Sequence, residues 1–111
     1  MADNVLVESL KNSSPDLVEI FYTSPPSGGG TTISSFTASN NTTSSATYKA
    51  YIYSSSGAAL DAVIPRKIVT RDRFDLGAPI IGQHMLPSST LRMESSAANS
   101  ISYRVTGVEL S

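Results

Sequence analysis

The sequence predicts an all-β chain: a small antiparallel β-sandwich or jelly roll, with a possible extended N-terminal arm. Three observations predict it. Seven or eight short segments rich in β-branched and aromatic residues recur at roughly ten-residue spacing. Clusters of Gly, Pro, Ser and Asn separate them. Helical periodicity is scarce: only Val5 to Lys11 and Ala58 to Val63 offer a turn or two of helix, too short to stand without tertiary support.

The elements follow in order. Residues 1–15 form an arm or first edge segment, and residues 16–111 a single sandwich domain. Leu17 to Thr23 (LVEIFYT) reads as a first strand, and Ser24-Pro25-Pro26-Ser27-Gly28-Gly29-Gly30 as the flexible connection that ends it. Thr31 to Ala38 places Ile33 and Phe36 at odd spacing, so the segment needs a β-bulge or feeds two layers. Ser39-Asn40-Asn41-Thr42 supplies turn chemistry. Thr47 to Tyr53 alternates, with Tyr48, Ala50 and Ile52 toward a core and Thr47, Lys49, Tyr51 and Tyr53 on the other face. Pro65 separates a short apolar piece from a strand over Arg66 to Phe74, and Gly77 and Pro79 break the chain again. Ile80 and Ile81 resume it briefly, and Pro87-Ser88-Ser89 turns it. Thr90 to Ser95 and Ile101 to Leu110 complete the set, the last turning Ile101, Tyr103, Val105 and, after an adjustment at Gly107, Val108 inward.

Composition bounds what such a fold can do. A chain of 111 residues and 11.7 kDa exposes roughly 5,900 Å² when folded, against roughly 17,000 Å² extended, which allows one modest core. Ser and Thr together make 30 residues, whereas Lys and Arg make 8. The absence of cysteine excludes disulfides, thiolate zinc sites and a cysteine nucleophile. The N-terminal residues lack a basic, then apolar, signal pattern, and no apolar run reaches the ~20 residues of a membrane helix, so synthesis in a cytoplasm and no membrane partner are expected. A net charge of -1 and four clustered basic residues, Arg66, Lys67, Arg71 and Arg73, opposed by Asp61, Asp72 and Asp75, make a weak footprint for nucleic acid. Between Ile20 and Leu60 the one formal charge is Lys49. A neutral, hydroxyl-rich stretch holding Tyr48, Tyr51 and Tyr53 suits packing against other proteins.

No catalytic constellation emerges. His84, the single histidine, has no second histidine and no G-x-S-x-G element beside it. Gly28-Gly29-Gly30-Thr31-Thr32 lacks the lysine and helix of a phosphate loop. The acidic residues have no metal-ligand spacing, and Asn12-Ser13-Ser14, Asn40-Asn41-Thr42 and Asn41-Thr42-Thr43 read as turns. No enzyme, cofactor or metal is expected.

The run Ile33 to Thr42 (ISSFTASNNT), the Tyr48 to Tyr53 strand, Gly82-Gln83-His84-Met85-Leu86 and the ending Ser102 to Glu109 (SYRVTGVE) resemble a group of small tailed-phage virion proteins. The likeness spans about residues 30 to 111 and is greatest to capsid decoration proteins of the cement or staple kind, as in epsilon-15-like podoviruses. That resemblance implies a jelly roll on the capsid exterior, commonly dimeric, which clamps neighbouring major capsid protein subunits and needs no turnover. The residues expected to meet the partner are Val5, Leu6, Val7 and Leu10 of the arm, Tyr51 and Tyr53, and the basic stretch Arg66, Lys67, Arg71 and Arg73. A tail or head-to-tail component is the structural alternative. A carbohydrate-binding sandwich, with Tyr51 and Tyr53 as its platform, is the alternative from another class.

Overall fold

Alternating polar and apolar residues can bury one face only if a second such face covers them, and the chain meets that need with two antiparallel sheets in a sandwich-like arrangement. The computed structural model describes residues 3–57, 59–69 and 73–110, with the backbone alone for 59–69 and 78. Nine strands are described: β1 (Asn4–Lys11), β2 (Glu19–Thr23), β3 (Gly30–Asn40), β4 (Ala46–Tyr53), β5 (Ala59–Val69), β6 (Arg73–Asp75), β7 (His84–Met85), β8 (Thr90–Ser95) and β9 (Ile101–Leu110), with a 3-10 turn at Ala78–Ile80. The first sheet runs β1-β9-β3-β6, with β7 also paired to β3; the second runs β2-β8-β4-β5. β1 contacts β2 and β5 contacts β6, so these pairs form the two opposite flanks.

The core lies between the sheets. Tyr48, Ala50 and Ile52 of β4 are buried as the alternation predicts, opposite Leu91 and Met93 of β8 on the same sheet. Val7, Ile33, Phe36, Ala38, Ile101, Tyr103 and Val105 come from the first sheet, and Ile80 and Met85 plug its margin. Each large aliphatic side chain so buried contributes about 1.5–3 kcal/mol. Phe36, Tyr48 and Tyr103 form the aromatic centre, with ring centroids 5.9–6.3 Å apart, and Phe21 meets Tyr103 edge-on at 5.1 Å.

A buried phenol must keep its hydroxyl bonded, and three tyrosines do so across the gap between the sheets. Tyr22 of β2 donates to Glu109 of β9 at 2.5 Å, with Thr31 at 2.9 Å. Tyr48 of β4 donates to Asp75 of β6. Tyr103 of β9 donates to Asn12 Oδ1 at 2.8 Å, while Asn12 Nδ2 donates to the Met93 carbonyl of β8 at 2.9 Å and to Glu19 at 3.2 Å. Burial, reinforced by Glu109, raises the Tyr22 pKa to about 12. Burial also pushes the Tyr48 and Tyr103 hydroxyls well above the usual phenol range, helped by Asp75 in the first case and by the charges of Glu19 and Glu94 in the second.

Several sequence expectations are corrected. Val5 to Lys11 is not helical but pairs with β9, and Ser9 sits at φ 52°, which a right-handed helix does not permit. Within Ala58 to Val63, residues 59–63 belong to β5 rather than to a helix. A sheet edge offered to a segment too short to nucleate a helix decides both cases. Pro65 does not divide the chain: β5 passes through it, because the ladder to β4 steps from Ile64 opposite Ala50 to Lys67 opposite Tyr48 and needs no N–H from the proline. Arg66 to Phe74 is not one strand, since Arg66 to Val69 lie in the second sheet and Arg73 and Phe74 in the first.

The bulge expected in β3 is present between Ile33 and Ser35. It absorbs the phase change, so β9 continues its alternation through a buried Gly107 and leaves Val108 half-buried rather than inward. The glycine-rich connection is fastened, with Ser24 N–H bonded to Ser89 O at 2.9 Å and Gly29 N–H to Leu110 O at 3.0 Å. Gly30, at φ 90°, is required there because a Cβ would lie 2.1 Å from the Met85 carbonyl oxygen.

Candidate interaction surface

The outer face of the second sheet is built by the outward residues of β4 and its neighbour β8. Register sets Tyr51 opposite Arg92, Lys49 opposite Glu94 and Tyr53 opposite Thr90. Cross-strand neighbours of this kind interact along one face. Tyr51 donates to Glu94 at 2.5 Å, Lys49 Nζ lies 3.7 Å from the same carboxylate, and Tyr51 meets Tyr53 edge-on at 6.1 Å. The Arg92 guanidinium lies 3.9 Å from the centre of the Tyr53 ring and its Nε donates to Thr90 at 2.9 Å. One face of Tyr53 is therefore already covered and closed to a stacking sugar. The Lys49–Glu94 pair is partly exposed and is worth only ~0.2–1 kcal/mol.

The arm residues take their places on β1, the outer strand of the first sheet. Val5 and Leu10 are 47% and 53% exposed, Leu6 is half-buried, and Val7 is core at 1%. Val7 is thus not available to a partner: register shifts flank it and its side chain is fully buried, while Leu6 packs partly buried against the core and Val5 stays exposed. Leu17 and Ile20 continue the exposed apolar rim along the same flank. On the opposite flank Arg66 and Lys67 fall on β5, the outer strand of the second sheet, and Arg73 is exposed on β6 beside Phe74. Arg71 lies outside the described residues. The structure brings Tyr51 and Tyr53 together but sets the arm on one flank and Arg66, Lys67 and Arg73 on the other, with the tyrosine face between them.

Sequence reasoning missed Arg92, Glu94 and Asp16. The first two alternate with Leu91 and Met93, a signal that they face outward, but their partners on β4 depend on register. Asp16, at φ 54°, is placed by its N–H bond to Ser95 O at 2.7 Å. It lines a polar pocket with Thr47, Tyr48, Lys49, Glu94, Ser95 and Ser96. His84 is exposed on β7, with Nδ1 3.0 Å from the Thr32 hydroxyl. Asn12 and Asn40, which head two of the triplets read as turns, are buried at 1% and 0%. Asn40 caps its turn through the Thr42 N–H at 3.0 Å and the Ser44 carbonyl at 2.8 Å. Among the described residues no group of three or more His, Cys, Asp or Glu is placed to hold a metal ion, and no helix is long and apolar enough to cross a membrane. No family model, curated protein or solved structure matches this chain.

Proposed function

We propose that the chain is a structural virion protein: a capsid decoration protein that binds the outside of an assembled major capsid protein lattice and stabilises it by bridging subunits. In this reading the sandwich is a jelly roll and the working form a homodimer. The supporting observation is an imbalance. Among the described residues every buried side-chain polar atom is bonded, yet large apolar side chains remain in solvent on both flanks. On the β6 flank Phe74 and Leu76 are 66% and 58% exposed, and on the β2 flank Leu17 and Ile20 are 51% and 56% exposed. A molecule that satisfies its interior and leaves apolar groups out on two opposite sides is suited to contact protein on both sides. Bridging gives avidity beyond either contact, and binding only the assembled state stabilises that state by mass action.

The test is co-sedimentation of the purified protein with assembled phage shells that lack a decoration protein, followed by thermal melting of the shells. Bound protein and a raised shell melting temperature are expected, and Phe74→Ser with Leu76→Ser should abolish both while leaving the fold intact. Shells that neither retain the protein nor gain heat resistance overturn the reading.

A further inference from the structure

We propose that the margin of the first sheet running from β6 to β7 is a contact between two copies of this chain, related by a two-fold axis that sets opposite ends of the margin together. This rests on the function proposed above and names the partner of one of the two flanks in that reading.

One segment builds the margin. Residues 73–86 run along the side of β3 away from β9, from β6 beside Ala38–Asn40 to β7 beside Thr31–Thr32. At about 3.3 Å per residue of β3 this is a length of about 30 Å. The segment is fastened on the way: Gly82 N–H donates to Ile33 O at 2.8 Å, and Ile33 N–H donates to Gln83 O at 3.0 Å. Gly77 lies so close to the Phe36 ring that a Cβ there would come within 2.3 Å of it. A backbone held this firmly still leaves Phe74, Leu76, Ile81 and Leu86 exposed by 66%, 58%, 44% and 68%. Together these side chains show roughly 400 Å² to solvent. One face of a standard homodimer carries roughly 500 Å² of apolar surface.

Charge decides the occupant. The sixteen residues from Leu76 to Leu91 contain no Asp, Glu, Lys or Arg, and His84, bonded to the Thr32 hydroxyl, is their one ionisable side chain. On the β1–β2 flank the exposed apolar side chains are instead interleaved with Glu8, Lys11, Asp16 and Glu19. A charged rim selects a different molecule of complementary charge. A two-fold contact sets a surface against itself, so any net charge on it repels, and a charge-free margin escapes that cost. The direction follows from Arg73, which is exposed beside Phe74. Like ends together would bring two copies of Arg73 face to face. Opposite ends together place Phe74 and Leu76 of one copy over Ile81 and Leu86 of the other and keep the arginines apart. The dimer then presents two β1–β2 flanks, the doubled contact that bridging requires.

Sedimentation equilibrium of the purified protein at about 100 µM, above the micromolar constants of the weakest interfaces of this size, should give twice the 11.7 kDa chain mass. Leu76→Arg and Leu86→Asp should each weaken the dimer at least tenfold, with the circular dichroism unchanged because both side chains are exposed. An equimolar mixture of the two variants should dimerise within threefold of the unmodified protein, since opposite ends set the introduced arginine against the introduced aspartate. Ile20→Asp on the other flank should leave the dimer constant within twofold. A monomer at this concentration, a dimer indifferent to either margin variant, no recovery on mixing, or a dimer lost in Ile20→Asp would each overturn the interface. The measurement uses no shells. A dimer that shells do not retain overturns the capsid reading, whereas a monomer that shells retain overturns this interface.

Discussion

Tyr103 shows how much one side chain can hold in place. It supplies an aromatic surface to Phe21, Phe36 and Tyr48 and donates its hydroxyl to Asn12, which in turn holds the Met93 carbonyl and Glu19. Tyr103→Phe keeps the ring but leaves the buried Asn12 oxygen without its donor, which costs about 1–3 kcal/mol; urea denaturation should show the midpoint falling with an unchanged slope. Tyr51→Phe, whose partner Glu94 retains Lys49 at a partly exposed site, should stay within about 0.5 kcal/mol in the same measurement. The three inter-sheet phenols also set an alkaline limit. Their folded pKa values are raised, to about 12 for Tyr22 and higher in direction for the others, so the native state keeps protons the unfolded chain releases above pH 10. The stability they contribute is complete below pH 10 and is lost as pH rises through the folded values. Far-ultraviolet dichroism should therefore show alkaline unfolding, with these tyrosines ionising as the fold is lost and not before. Glu19 acts at the other extreme: bonds from Ser13 hold its carboxyl below the usual glutamate range, against the opposing effect of burial, so the stability it contributes is complete above that range and is lost as pH falls through the lowered value.

Among the elements, β1 separates core from surface most sharply. Val7→Ala removes two buried methyl groups and should cost about 1.6 kcal/mol by transfer alone, more if a cavity remains. Val5→Ala two residues earlier should change thermal stability by less than about 0.5 kcal/mol. Strands whose pattern was self-contained were legible in the sequence: β4 alternates without interruption, β8 and β9 begin and end at the residues read from their composition, and the bulge in β3 follows from the spacing of Ile33 and Phe36. Strands defined by their partners were not. β1 has one fully buried side chain, beside a half-buried Leu6, and a residue at positive φ, and β5 carries a proline, so neither announces itself as a strand until β9 and β4 supply the hydrogen bonds. The pocket was illegible for the same reason, since Asp16, Lys49 and Glu94 come from three separate segments that register and one backbone bond bring together.

For the whole molecule, size and surface agree with a chain that completes its own core. The radius of gyration is 13.3 Å and the accessible surface 5766 Å², against about 13 Å and roughly 5,900 Å² expected for a folded monomer of this length and mass. Neighbours in an assembly are not required to close the interior, and the isolated protein should melt in a single cooperative transition. Calorimetry should give an unfolding enthalpy of about 78 kcal/mol near 60 °C, from the usual ~0.7 kcal/mol per residue; a broad transition with much smaller enthalpy would contradict a self-sufficient core. The tyrosine bridges carry one more consequence, an optical one. The chain has no tryptophan, so its intrinsic emission comes from five tyrosines, and Tyr22, Tyr48 and Tyr51 donate to carboxylates, an arrangement that quenches phenol fluorescence. The native protein should therefore be dim and the unfolded chain bright, and because the Tyr22 and Tyr48 bonds cross between the sheets, their loss makes separation of the two sheets visible without any label.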